Sequence, residues 1–228
     1  MEAERLWKEG RPREAAAAAA GDLRDDPVSV RKRTFYFELL CFQGEWARAH
    51  KQLEILSADP ASERAALYYQ RVVDAEVQRQ ELFQSADVCR AWLQPADDTA
   101  GSIDGVRYES ISDADPRLRA RLELLTTTGY LLMPFSEIGE IEFEPARRLR
   151  DLLWRKARIK LSAARGSLDM GDVVVPALEP LSFLHESPAV QLGRMTASGE
   201  GSSAGQKTLL ADGDEVPILS VTCLRFAA

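Results

Sequence analysis

Histidine and cysteine are scarce in this chain. It has two histidines, His50 and His185, and three cysteines, Cys41, Cys89 and Cys223. The cysteines are odd in number and share no short spacing, so neither a disulfide framework nor a zinc motif follows from them. The histidines are far apart, and neither has a metal-ligand neighbour at a useful interval, so no metal is expected. There is no run of 18 or more apolar residues, which leaves no helix to span a membrane. The N-terminus, MEAERLWKEGRPRE, carries charge where a signal peptide needs an apolar stretch, so a cytoplasmic location is expected. Positive charge is in deficit as well. Lys and Arg number 29 against 36 Asp and Glu, a net charge of −7, and such a chain repels phosphate backbones, so nucleic acid is a poor partner.

What is present is an ordinary globular balance, 45% apolar and 29% charged, which suits one large domain or two small ones over 228 residues. Periodicity comes next. Gly10 and Ala15 recur as Gly44 and Ala49 at an interval of 34, and Pro27 recurs as Pro60 at 33. A period of 34 is that of the tetratricopeptide helix pair. Each residue type has a physical task. The glycine closes the turn between two helices in a backbone conformation that side chains resist. The alanine allows close helix approach, and the proline stops the second helix. An ordinary antiparallel bundle explains the helices, but not three landmarks at one period.

Helical spacing accompanies the landmarks. VRKRTFYFELLCFQG sets Phe35, Leu39 and Phe42 on one face, and EWARAHKQLEILSADP does the same with Trp46, Ala49, Leu53 and Leu56. ASERAALYYQRVVDAEVQRQELF is a third helical pattern, but Gln78 stands where a turn glycine is expected, so the array ends there. Two repeats need neighbours to bury their faces, so the third helix and the C-terminal half must cap them.

Residues 94–104 are rich in Pro, Gly, Asp and Ser and read as a linker. The expected fold class is therefore α+β: a tetratricopeptide-like helical domain over 1–93, the linker, and a mixed, β-rich domain over 105–228. Within the second domain YESISDADPRLRARLELL reads as a turn and a helix, capped by Asp113 or Asp115 with Pro116 in its first position. PARRLRDLLWRKA has helical spacing at Leu149, Leu152 and Leu153. Ile138, Ile141 and Phe143 read as part of a strand. Arg165-Gly166 and Asp212-Gly213 read as hairpin turns.

Catalytic chemistry finds little support. GEGSSAGQKT resembles a phosphate loop, but Gln206 separates Gly205 from Lys207, and a hairpin loop is the better reading. Ser182 and Ser187 flank His185 without a nucleophile elbow. Glu137, Glu140, Glu142 and Glu144 alternate like the solvent face of a strand, and a hydrolase built on them is the weakest alternative. The basic tract 147–158 reads as a helix that meets an acidic partner or pairs with nearby acids.

Four stretches resemble the SciE, ImpE or TagJ family of type VI secretion accessory proteins. They are RKRTFYFELLCFQGEWARAHKQLEIL, the Asp113–Asp115 triplet with Arg117-Leu118, GYLLMPFSEI through PARRLRDLLWRKARI, and VVVPAL followed by LGRMT and by GQK at Gly205–Lys207. The chain departs from the family at Glu179, where a Tyr is common, at Ala197 and Ser198, where a Trp is common, and in a shorter stretch over 83–104. The resemblance implies a protein without enzymatic activity or cofactor. Its implied partner is the N-terminal helix of the small contractile-sheath subunit, with an indirect link to the sheath-recycling ATPase. A general repeat adaptor is the other reading. Counting back from Gly44 places Arg31, Thr34, Glu38, Cys41 and Phe42 toward a helical groove, and the next helix adds Ala65, Tyr68, Tyr69 and Val72. Arg150, Asp151 and Trp154 are expected to join the two halves.

Overall fold

The computed structural model describes residues 1–85, 99–199 and 202–227. Five helices come first: α1 (Glu2–Lys8), α2 (Pro12–Asp25), α3 (Val30–Phe42), α4 (Trp46–Ser57) and α5 (Glu63–Gln84). Pro12 opens α2, where a missing N–H leaves nothing unsatisfied. The Ser29 hydroxyl accepts from the Lys32 amide and caps α3.

The turns after α1 and α3 share two hydrogen bonds. The Arg11 amide donates to the Leu6 carbonyl and the Gly10 amide to Trp7. Thirty-four residues later, Glu45 donates to Leu40 and Gly44 to Cys41. Both glycines are left-handed, with φ of +77° and +68°, as this helix stop requires. Ala15 and Ala49, one turn into the following helices, are both fully buried.

The C-terminal part is β-rich. Its strands are β1 (Gly101–Ile103), β2 (Val106–Tyr108), β3 (Ile111–Asp113), β4 (Arg121–Thr126), β5 (Gly129–Pro134), β6 (Ile138–Phe143), β7 (Trp154–Leu161), β8 (Asp169–Pro176), β9 (Thr196–Gly199), β10 (Ser202–Gly205), β11 (Thr208–Ala211), β12 (Asp214–Pro217) and β13 (Cys223–Phe226). A short helix, α6 (Pro188–Gln191), precedes β9. Eight strands form one sheet in the order β2-β1-β13-β6-β7-β8-β4-β5, β12-β11-β3 form a second, and β9 and β10 pair separately. Every strand pair is antiparallel. Gly166, at φ +76°, closes the β7–β8 hairpin. Asp212 and Gly213, both with positive φ, form the two-residue turn of β11–β12.

Three local expectations are corrected. Residues 101–103 of the expected linker are a strand paired with β13, and residues 94–98 lie outside the described residues. The expected helix after Pro116 is β4, because its backbone is claimed by ladders to β5 and β8. The expected helix over 147–158 is a short 3-10 turn, Leu149–Leu152, that leads into β7.

The large sheet is buried on both faces over part of its width. On β8, Val174 packs into the helical core, while Val173 and Val175 pack into a second core on the far side. Leu125 of β4 faces the helices, and Leu122 and Leu124 face away. Helices therefore cover one face of the sheet, and the residues of β3 and β11 help close the other.

Candidate partner-binding site

The predicted groove residues divide into two classes. Arg31, Thr34 and Glu38 on α3 line a cleft of about 870 Å³, together with Glu4, Trp7 and Lys8 of α1. Ala65, Tyr68 and Tyr69 on α5 line a second cleft of about 860 Å³, with Arg64 beside them. Cys41, Phe42 and Val72 are each 1% exposed and belong to the core. The β-rich part closes over that stretch of the helices, so these three residues offer no surface to a partner. Burial also pushes the Cys41 thiol pKa upward, which leaves it protonated and unreactive.

One segment forms the opposite wall of both clefts. Arg147, Arg148 and Arg150, between β6 and β7, line each of them. Their shape comes from Asp151, whose Oδ2 accepts the backbone amides of Arg147 and Arg148 at 2.8 Å each. Asp151 thus shapes its own turn and lines the second cleft opposite Ala65 and Tyr68 of α5. Leu149 and Leu152 on that turn pack against the helical core.

Arg150 and Trp154 do cross to the helices. Arg150 Nη1 donates to Glu38 Oε1 at 2.9 Å, and its guanidinium lies 4.5 Å from the Tyr69 ring centroid. Burial raises the Glu38 carboxyl to about 7, with the Arg150 charge opposing the rise. The Trp154 indole N–H donates to Glu76 Oε2 at 3.0 Å, and its ring stacks on Tyr69 with 6.2 Å between centroids.

A buried ionic cluster was not foreseen from the sequence. Arg79 of α5 holds Glu123 of β4 at 2.6 Å, and also donates to Glu76 and to the Leu178 carbonyl. Lys207 then sits among Asp113 at 2.6 Å, Glu123 at 2.8 Å and Glu179 at 3.3 Å. Burial opposes ionisation of Glu123, but the charges of Arg79 and Lys207 outweigh it and hold the carboxyl at about 2. Burial pushes Asp113 and Glu179 upward. Glu179 Oε1 has no partner. A void of about 20 Å³ touches Glu179 and Arg79, with room for one water and no substrate. The cluster is therefore structural. Its sequence signal was the placing of Asp113 in the Asp113–Asp115 triplet, of Glu179 directly after Pro-Ala-Leu, and of Lys207 in Gly-Gln-Lys, whose charges converge here.

The remaining chemical candidates stay apart. Glu140 pairs with Lys160 and Arg225, Glu137 pairs with Arg165, and neither of them nor Glu142 lines either of the two clefts. Of these four, Glu144 lines the second cleft, where Asp151 and Asp172 are also found. The Ser182 hydroxyl donates to the Glu179 carbonyl, and His185 Nδ1 accepts from the Ser187 amide. His50 lies between Glu54 and Asp74. Among the described residues no group of three or more His, Cys, Asp or Glu is arranged to hold a metal, and no helix is long and apolar enough to cross a membrane.

Known proteins share this plan. Residues 105–225 match the family model described as ImpE protein. The chain is 26% identical over 260 residues to the type VI secretion system accessory component TagJ of Pseudomonas aeruginosa, covering 99% of this chain and 91% of that one. The crystal structure of protein VPA1032 from Vibrio parahaemolyticus has the same fold, with a TM-score of 0.88 at 20% identity over 100% of this chain and 98% of that chain.

Proposed function

Because the chain belongs to the ImpE protein family, we propose that it is a non-catalytic accessory protein of a type VI secretion system, binding the N-terminal helix of the small contractile-sheath subunit. The observation that carries this reading is the end-to-end similarity to the TagJ relative. Three further readings go with it. Helices α1–α4 act as two tetratricopeptide-type units and α5 as the first helix of a third. The chain divides into a helical domain expected over 1–93, of which 86–93 lie outside the described residues, and the β-rich domain expected over 105–228, which the strand at 101–103 joins. The partner helix meets the first helix of each unit, where Arg31, Thr34 and Tyr68 line open clefts. An amphipathic helix suits such a surface, since its apolar side covers the ring and aliphatic carbons while polar groups stay at the rim.

The supporting geometry is the apolar floor of the first cleft, made by Trp7, Phe35, Leu149 and Leu152. The test is a pull-down by the purified chain of the small sheath subunit, and of the same subunit without its N-terminal helix. Retention of the first and loss of the second is expected, as is loss on combining Arg31→Glu with Tyr68→Ala. A sheath subunit that fails to bind, while an unrelated protein from the same cells does, replaces this reading with that of a general adaptor.

A further inference from the structure

We propose that the two clefts form one docking surface for a helix with acidic flanks, and that Arg147 and Arg148 are the residues that select it. The inference rests on the sheath-subunit reading for the partner's identity and adds the chemistry of the face that touches this chain.

The argument begins with an imbalance of charge. The chain as a whole is acidic, at −7. Yet Lys8, Arg64, Arg147, Arg148 and Lys156 line the clefts, and among the described residues none of the five forms an ion pair. Among the described residues some exposed arginines elsewhere pair, Arg5 with Glu2 and Glu9, Arg165 with Glu137 and Arg225 with Glu140, and others such as Arg13, Arg24 and Arg107 do not, so what sets the clefts apart is that five such cations gather there. The carboxylates inside the clefts are mostly engaged. Glu4 holds Arg31 and the N-terminal amine, Glu38 holds Arg150, Asp151 accepts two backbone amides, and Asp172 lies 3.8 Å from Arg158. Glu144 is the remaining one. The clefts thus present a surplus of cations with no internal answer.

Geometry then limits the occupant. Arg147, Arg148 and Arg150 line both clefts, so a single rod laid across them meets the same arginines from either side. Trp7, Phe35, Leu149 and Leu152 floor one cleft, and Ala61, Ala65 and Tyr68 floor the other. A polyanion such as nucleic acid offers charge without an apolar side to cover these carbons. An amphipathic helix with Asp or Glu on its flanks offers both.

The test uses the full chain and two labelled peptides by fluorescence anisotropy. One is the sheath subunit's N-terminal helix, and the other is the same peptide with every Asp and Glu replaced by the amide. The acidic peptide is expected to bind about tenfold more tightly at low salt, with the advantage fading as salt rises. Arg147→Glu with Arg148→Glu is expected to erase that advantage and to leave the amide peptide unchanged. Equal binding of the two peptides by the native chain overturns the inference, as does an unaltered preference in the double variant. Arg147→Ala with Arg148→Ala serves if the charge reversal fails to fold, since both alanines keep the amides that Asp151 holds. If neither sheath peptide binds, the proposed function fails instead. A designed amphipathic helix with Glu flanks, compared with its Gln counterpart, then decides the charge question, and no preference for Glu overturns it. A heparin fragment that binds as tightly as the acidic helix and is lost in the same variant makes the site a general polyanion site and also overturns it.

Discussion

The Lys207 ammonium lies 2.6 Å from the Asp113 carboxylate, 94 residues away along the chain, and both are buried. Two more carboxylates, Glu123 and Glu179, complete its surroundings, and Glu123 is held from its other side by Arg79, so two cations serve three acids.

Removing the cation should be severe. Lys207→Met leaves Asp113, Glu123 and Glu179 buried without it, and a loss of about 3–5 kcal/mol is expected, since breaking a buried pair strands the other charge. Glu179→Gln is expected to be mild or stabilising, because Glu179 is the most distant of the three acids and its Oε1 is unpartnered. Urea denaturation of the two variants checks both. A larger loss for Glu179→Gln than for Lys207→Met contradicts the assignment.

Acidity should matter in a defined direction. The Glu38 carboxyl rises from 4.5 to about 7 on folding, mainly through burial. The folded chain therefore holds this proton more tightly than the unfolded chain. The stability it contributes is fully present below about pH 4.5 and is lost as pH rises to about 7. Asp113 and Glu179 act in the same sense. Glu123, held at about 2, acts oppositely, and its contribution fades as pH falls below 4.5. Urea midpoints measured from pH 4 to 8 (roughly the span of these titrations) should peak near pH 5 and decline toward neutrality. Glu38→Gln should flatten the decline.

The two equivalent turn glycines should respond unequally. At Gly10 an added Cβ meets only the Arg194 guanidinium at 3.2 Å, a flexible tip. Gly10→Ala should then lose only about 1–2 kcal/mol, the strain of a left-handed backbone. At Gly44 the same atom lies 2.4 Å from the Phe183 ring, which packs edge-on against Trp46. Gly44→Ala should lose the strain and that ring contact together. Thermal melting of the pair checks the order, and equal shifts contradict it.

The joint between helices and sheet has its own probe. Trp154→Phe keeps a ring against Tyr69 but removes the N–H that Glu76 accepts. A loss of about 1–3 kcal/mol is expected, from an acceptor that loses a buried donor. Adding Glu76→Gln to Trp154→Phe should be less than additive, since the two residues share one bond. A double-mutant cycle in urea measures this.

What could be read in advance follows from how local the cause is. The turns at Gly10 and Gly44, the prolines beyond α2 and α4, and the Asp212-Gly213 hairpin depend on a few adjacent residues, and all were legible. The 116–126 segment has no strand signature in the sequence because β4 is buried on both faces. Leu122, Leu124 and Leu125 do not alternate with polar residues there, and Arg121 and Glu123 are buried as well. Such a run carries no period of two to distinguish it from a helix. The 147–158 segment has helical leucine spacing without a helix, since its leucines serve a 3-10 turn and its Trp154 begins a strand. The candidate site was legible on α3 and α5 but not on its opposite wall. No local pattern reports that Arg147 and Arg148 face residues of α1, α3 and α5 that lie far earlier in the chain.

The partners of Arg79 also set an order of events during synthesis. Its side chain is made well before Glu123, and before Lys207 by more than half the chain. At about 5–20 residues per second, Glu123 follows within roughly ten seconds, and the Lys207 that completes the cluster on the order of ten seconds after that. Through that interval α5 carries an arginine and Glu76 that only the finished sheet can shelter. A stalled or clipped chain that ends before β11 should therefore keep its helices from docking and be recognised by the cell as unfinished, however complete its helical part is.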